Sequence, residues 1–294
     1  MIRELSEYEI DALHYELLLK DIIATAEKLP PFPDIAWKVS HLVKTAAPMN
    51  QIEDVIKYDQ AITAKILKLG NSAYYGRQHE IRSLREAILL LGNRRIIQVT
   101  LTASACRYFE GRNSSEDRKL WEHSVTSALL SEIVSRRFSG IGSLTLYTAA
   151  LLHDIGKTVL NAYFRIYRQA QLRRVWNECD TVSTERRALG IDHQELGGII
   201  TRNWKFPPDI CAAIQYHHNP EKAGNYVEIA SLAYLVDLMA VSLEEGDAKH
   251  HAGGIDTEGD PVLKRLGITQ KMVDDFKLEI GSGVKGVVEE VFSF

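Results

Sequence analysis

Seven side chains between residues 123 and 237 are of the kinds that hold divalent cations: His123, His153, Asp154, His193, His217, His218 and Asp237. Counted from the nearer member of each doublet, the gaps between them are 30, 39, 24 and 19 residues. Each gap is about the length of a helix, a turn and part of the next helix. Side chains on separate helices of a bundle can therefore meet at one point in its core. Five imidazoles and two carboxylates suit borderline divalent ions: iron foremost, then manganese, nickel, cobalt or zinc. They do not suit calcium, which prefers oxygen ligands alone.

The local settings sharpen this chemistry. His153 and Asp154 end the apolar run Ala149-Ala150-Leu151-Leu152. Adjacent helical residues point about 100° apart, so one site can use both only by lying between their directions. A carboxylate there could bridge two ions while its neighbour ligates one. In Ile155-Gly156-Lys157, which follows, Gly156 permits close backbone approach and Lys157 supplies a cation; the alternative for Lys157 is a solvated lysine at a helix end. Asp192 with Glu195 forms a cap that places His193 in a first helical turn. His217 and His218 close the helical stretch that begins at Ile210, before Asn219-Pro220. Asp237 sits in residues 227–241, which are apolar nearly all round, the mark of a buried helix. An ionised carboxylate buried there needs a partner. A metal cation meets that need, and so would Arg136, Arg137 or Arg202. Taken singly, each histidine is a hydrogen-bonded core or surface residue as readily as a ligand; their joint placement points to a metal centre. His14, His41, His79 and the pair His250-His251 read as ordinary solvated residues.

The elements that must position these groups are helices. Apolar residues recur with a 3.6-residue period, and no sustained alternation marks a strand. The expected fold is all-α: a two-lobed helical bundle, with the candidate ligands in the second lobe. Residues 1–110 form the first lobe, 111–117 a polar link and 118–243 the second lobe; 244–294 hold an acidic, Gly-rich loop, a last helix and a tail. In the first lobe, Leu29-Pro30-Pro31-Phe32-Pro33 breaks an opening helix. Capping patterns are expected at Asn50/Glu53, Asp59 and Ser83/Glu86, with a stop at Gly92-Asn93. In the second lobe helices are expected near 118–138, 144–162, 165–179, 183–189, 193–204, 208–218 and 227–243. The last helix is placed near 269–279, followed by Gly281, Gly283 and Gly286.

Composition excludes some classes of function. Among 294 residues, 35 Lys and Arg against 39 Asp and Glu give a net charge of −4. No basic excess recruits phosphate backbones, so general nucleic-acid binding is not expected. No apolar stretch is read as reaching the ~18–20 residues that cross a bilayer. The opening residues lack the pattern of an export signal. Cys106, Cys179 and Cys211 are too dispersed for a disulfide framework or a thiolate zinc site. The expected location is the cytoplasm.

At His153-Asp154 the chain resembles the HD superfamily of metal-dependent phosphohydrolases, named for that doublet. The wider pattern resembles the HDOD (HD-related output) domain of bacterial signalling proteins. The resemblance is carried by Leu29-Pro30-Pro31-Phe32-Pro33, Asn71-Ser72-Ala73-Tyr74-Tyr75-Gly76, Ala87-Ile88-Leu89-Leu90-Leu91-Gly92, Trp121-Glu122-His123-Ser124, Ala150-Leu151-Leu152-His153-Asp154-Ile155-Gly156 and Trp204-Lys205-Phe206-Pro207. These occur in the family's order between about residues 25 and 243. By resemblance to two-metal HD enzymes, His123, His153, Asp154 and Asp237 would hold one ion. Asp154 would bridge to a second, held by His193, His217 and His218. The Gly-Tyr-Pro signature of relatives that cleave cyclic-di-GMP is absent, since Gly197 is followed by Gly198 and Ile199. One turn before His123, where some relatives place a third-metal carboxylate, stands Lys119; two metals are expected.

Three functions follow from that resemblance. The first is metal-assisted hydrolysis of a nucleotide or other phosphoester, with Asp154 and Lys157 in the chemistry and Arg94 or Arg95 at the mouth. The second is a non-catalytic regulatory module that binds a nucleotide or a signalling partner, as in the many HDOD domains that lack the ligands. Tyr74 and Tyr75 would then offer a docking surface, or pack in the core. With no receiver, kinase or DNA-binding domain in view, the module is expected to act in trans. The third is a diiron oxygenase of the HD fold, because the same ligand types serve both chemistries.

Overall fold

The computed structural model describes residues 7–72, 80–109, 114–138, 140–169, 181–244 and 255–287. Among them every regular element is helical. The first five are α1 (Glu7–Glu27), α2 (Asp34–Lys44), α3 (Met49–Ile56), α4 (Gln60–Gly70) and α5 (Leu84–Cys106). Then come α6 (Ser115–Ser135), α7 (Ser143–Leu152), α8 (Ile155–Gln169), α9 (Thr181–Leu189), α10 (His193–Asn203) and α11 (Pro208–Tyr216). A 3-10 turn at Pro220–Tyr226 leads into α12 (Val227–Glu244), α13 (Pro261–Leu266) and α14 (Gln270–Val287).

Short polar side chains start several of these helices by taking an orphan N–H of the first turn. Asp59 accepts from Ile62 N at 3.0 Å, Ser83 from Glu86 N at 3.2 Å, and Asp192 from Glu195 N at 2.8 Å. Asn50 does not cap; α3 begins at Met49 behind Pro48, with no side-chain cap. The stop expected at Gly92 is met by a break: its φ of 72° and ψ of 165° are non-helical, and a second helical segment of α5 runs on from there to Cys106. The helix expected over 144–162 divides at His153-Asp154 into α7 and α8, and the last helix runs past Gly281, Gly283 and Gly286 to Val287. Residues 73–79, 110–113, 170–180 and 245–254, with Tyr74, Tyr75, Cys179, His79 and His250-His251, lie outside the described residues.

In the first part of the chain, α2, α3 and α4 pack on α5, and α5 in turn meets α7. The site is framed by α6, α7 and α12 on one side and by α8, α10 and α11 on the other. α1 lies across α8, α9 and α10, and α14 lies against α6. An aromatic junction joins the Leu-Pro-Pro-Phe-Pro and Trp-Lys-Phe-Pro motifs. Phe32 lies 5.4 Å from Trp204 and 5.1 Å from Phe206 between ring centroids; Trp37 lies 4.7 Å from Phe206 and Tyr108 4.3 Å from Trp204. Lys205 (φ 60°) makes the turn that presents both rings, closed by Phe206 N–H on Thr201 O at 3.0 Å.

The stretch Pro220–Leu243 is, contrary to the sequence expectation, long and apolar enough to cross a membrane by length and composition. It is half buried in the fold. Its α12 portion packs against α6, α7 and α11 and carries Asp237 among its apolar residues.

Candidate metal centre

Two of the ligand-type residues sit where their helices run out of hydrogen-bond partners. His153 follows α7 and His217 follows α11, each as the helix's C-cap. Each ring turns back so that Nδ1 donates to a last-turn carbonyl, Ala150 O at 2.7 Å and Ile214 O at 2.8 Å. A carbonyl can only accept, so the hydrogen is on Nδ1 and, in the neutral ring, Nε2 carries a lone pair. His193 opens α10 and donates Nδ1–H to Glu185 Oε2 at 2.6 Å. The peptide N–H of His218 donates to Gln194 Oε1 at 2.9 Å. His123 comes from the middle of α6, and its Nε2 lies 3.0 Å from Asp237 Oδ1 on α12.

These rings form a chain. His123 and His153 approach to 3.1 Å between Nε2 atoms, and His193 and His217 to 3.3 Å. His153 and His217 rings stand 5.0 Å apart, His217 and His218 4.2 Å apart. Asp154, at the junction of α7 and α8, lies between the two pairs. Its Oδ2 is 3.5 Å from His153 Nε2 and 3.8 Å from His123 Nε2; its Oδ1 is 3.4 Å from His193 Nε2 and 4.0 Å from His217 Nε2. The break between the helices answers the 100° divergence expected of neighbours on one helix, since His153 and Asp154 no longer share one. Close approach is built in at Gly156, where a β-carbon would lie 2.1 Å from His193 O.

All seven residues are buried except His218, which is partly so. Burial alone would raise the Asp154 carboxyl, but Lys157 and the surrounding imidazoles hold it well below the usual range. Asp237 is likewise held low against burial, by His123 and His153. Burial, with its imidazole neighbours, keeps His217 neutral, and burial pushes His218 down to about 4. Neutral rings are what metal binding requires. Lys157 Nζ donates to Asp154 Oδ2 at 2.7 Å; burial opposes its charge, yet the Asp154 and Asp237 carboxylates raise it.

This donor set fits a cation. Asp154 Oδ1 is buried and accepts no hydrogen bond, while the imidazole Nε2 atoms of His193 and His217 face it. With Nδ1 hydrogens committed elsewhere, three electron-rich atoms converge on one space. His218 Nε2 is also buried without a partner. Orphaned buried polar atoms are costly, and a cation satisfies them together. Three interlocking triads have ligand atoms within 4.8 Å of one another: His193/His217/His218, His123/His153/Asp154 and His153/His217/Asp237.

Other candidates fall away from the centre. Arg136 and Arg202 bond Glu279 and Gln215, and Arg137 lies over the Phe276 ring, so Asp237 is served by His123 instead. Arg95 pairs with Glu132 on α6, while Arg94, Lys119, His14 and His41 are exposed. The group that sequence reasoning missed is Glu185. It lies eight residues before His193 and is tied to it only by the fold.

Comparison with known proteins agrees with this architecture. A protein from Treponema pallidum (strain Nichols), described as uncharacterized, is 21% identical over 245 residues; these make up 79% of the chain and 46% of that protein. The chain thus spans about half the length of this curated relative. An HDOD domain protein of unknown function from Geobacter sulfurreducens superposes with a TM-score of 0.75 at 22% identity, covering 96% of this chain and 100% of that one. A provisionally named phosphohydrolase from Shewanella amazonensis SB2B gives 0.70 at 18% identity, covering 92% and 97%. These likenesses establish the all-helical fold. The HDOD domain model matches residues 29–220, which take in α2 to α11 and, with them, every ligand-type residue except Asp237; the chain belongs to the HDOD family.

Proposed function

We propose that this protein is a metal-dependent phosphohydrolase of the signalling class, with two divalent ions held by its seven clustered donors. One ion would be held by His123, His153, Asp154 and Asp237, and the other by Asp154, His193, His217 and His218. The observation that carries this reading is the division of Asp154, whose two oxygens face different histidine pairs. A pair of such ions lowers the pKa of bound water toward ~7 and polarises a phosphoryl oxygen.

The chain's own contribution is orientation and charge. The bonds to Ala150 O, Ile214 O and Glu185 fix three imidazoles with Nε2 turned inward, so little reorganisation accompanies ligand binding. Lys157 is anchored on Asp154, and its side chain remains 26% exposed. From that edge its ammonium can meet a phosphate oxygen as a point charge. The name of the Shewanella amazonensis neighbour supports the same class of reaction.

Elemental analysis of protein purified without added metal is expected to find about two ions per chain. A panel of phosphomonoesters, cyclic nucleotides and cyclic dinucleotides, assayed with iron, manganese and nickel, is then expected to reveal turnover. Full metal occupancy with no turnover would favour the regulatory module. An oxygen-sensitive absorbance change on reduction would favour diiron chemistry.

Two further outcomes follow. His218→Ala is expected to weaken chiefly the ion assigned to His193, His217 and His218, and metal titration should show one affinity falling while the other holds. Chelation is expected to lower the melting temperature by several degrees. Each site saturated at about 100 times its Kd adds about 2.7 kcal/mol to the folded state, so calorimetry at graded metal concentrations measures the effect.

A further inference from the structure

We infer that Glu185 is a positioning residue for the ion assigned to His193, His217 and His218; this rests on the two-ion reading. The buried Glu185 carboxylate places one oxygen, Oε2, against two donors of the same residue. It accepts from His193 Nδ1 at 2.6 Å and from the His193 peptide N–H at 2.8 Å. The first bond sets the ring's tautomer and tilt. The second pins the first residue of α10, whose N–H has no partner within the helix. Glu185 does not itself face the cation space, because it lies on the Nδ1 side of a ring whose Nε2 points to Asp154 Oδ1.

The contrast with the neighbouring ligands gives this bond its chemical meaning. His153 and His217 donate to neutral backbone carbonyls. His193 donates to a carboxylate, and a charge-assisted bond is shorter and roughly twice as strong. Electron density returned through the ring strengthens the donor at Nε2. Glu185 therefore makes His193 the strongest imidazole donor of the three.

The helix that carries Glu185, α9, is itself held in place. Arg186 pairs with Asp192 at 2.6 Å and with Glu195 at 2.9 Å, bracing α9 against the start of α10. Tyr15 of α1 donates to Arg186 O at 2.9 Å. Its ring lies against Gly190 (φ 79°), where a β-carbon would come within 3.0 Å of it. Glu185 thus meets His193 from a helix braced against both α1 and α10.

The test uses the full chain, titrated after chelation with Mn2+ or Co2+ alone. Glu185→Ala is expected to weaken one of the two ions by about 10–100-fold and leave the other unchanged. Glu185→Gln keeps an oxygen for both N–H groups but loses the charge, so it should restore part of that affinity. It should also shift the visible bands of the Co2+-saturated protein relative to wild type. The melting temperature of each metal-free variant provides the structural control. Equal weakening of both ions, in step with a lower metal-free melting temperature, would reduce Glu185 to a structural role and overturn the inference. Wild-type affinities in both variants would overturn it as well. If Glu185→Ala does not fold, the near-isosteric Glu185→Gln decides by the same criteria. A wild-type chain that takes up fewer than two ions would defeat the two-ion reading itself, a result distinguishable from failure at Glu185.

Discussion

Asp154→Ala is expected to empty both metal positions at once, taking the metal content from about two ions per chain to near zero. The reason is geometric. Removing the carboxylate takes Oδ2 from beside His123 and His153 and, in the same stroke, Oδ1 from beside His193 and His217. Asp237 spans another part of the cluster, its Oδ1 beside His123 and His153 and its Oδ2 3.9 Å from His218 Nδ1. The metal-free protein also suffers, because Lys157 loses the 2.7 Å partner that stabilises its charge. Breaking a buried pair costs about 3–5 kcal/mol, and with Lys157 26% exposed the lower end applies. Elemental analysis and chelator-treated melting curves separate the two effects. Metal content unchanged by Asp154→Ala would rule out the bridging assignment.

Gly156→Ala is expected to be the most damaging Gly→Ala change among the described glycines. Its β-carbon would sit 2.1 Å from His193 O and 2.9 Å from both the carbonyl carbon and Cα of His193. These are backbone atoms at the start of α10 and cannot swing aside. Either α8 or α10 must move, separating Asp154 from His193. Overpacking of this kind costs about 3 kcal/mol or more, and metal uptake should fall with it. Gly197→Ala offers the comparison: its β-carbon meets Ile214 Cγ2 at 2.9 Å, a side chain that can rotate, so the loss should be smaller. Thermal unfolding of the two metal-free variants, side by side, tests the ordering.

How far the amino-acid sequence foretold this molecule depended on whether a feature was local. Caps at Asp59 and Asp192 were readable because acceptor and donor lie three residues apart. The burial of α12 was readable because its residues are apolar on every face. The spacing of histidines and aspartates suggested helices meeting in a core, and the fold brings those side chains together. The division of the helix at His153-Asp154 was not readable, because nothing in Leu-Leu-His-Asp-Ile breaks a helix by propensity. It coincides with the close approach of the start of α10 to Gly156. The stop at Gly92 was readable because a glycine at positive φ breaks the helical path, although a second helical segment follows at once. Glu185 was invisible for a different reason. The sequence offers several carboxylates near His193, and only the packing of α9 against the start of α10 selects one.

The clasp of Phe32, Trp37 and Tyr108 on Trp204 and Phe206 makes α10 a lever with a fixed fulcrum. His193 stands at its opposite tip, eleven residues away, or about 16 Å at 1.5 Å per residue. Tilting the aromatic end swings the imidazole end. Under the proposed two-ion reading, a rigid α10 would pass any displacement of Phe32 on to His193 and the site beside Asp154.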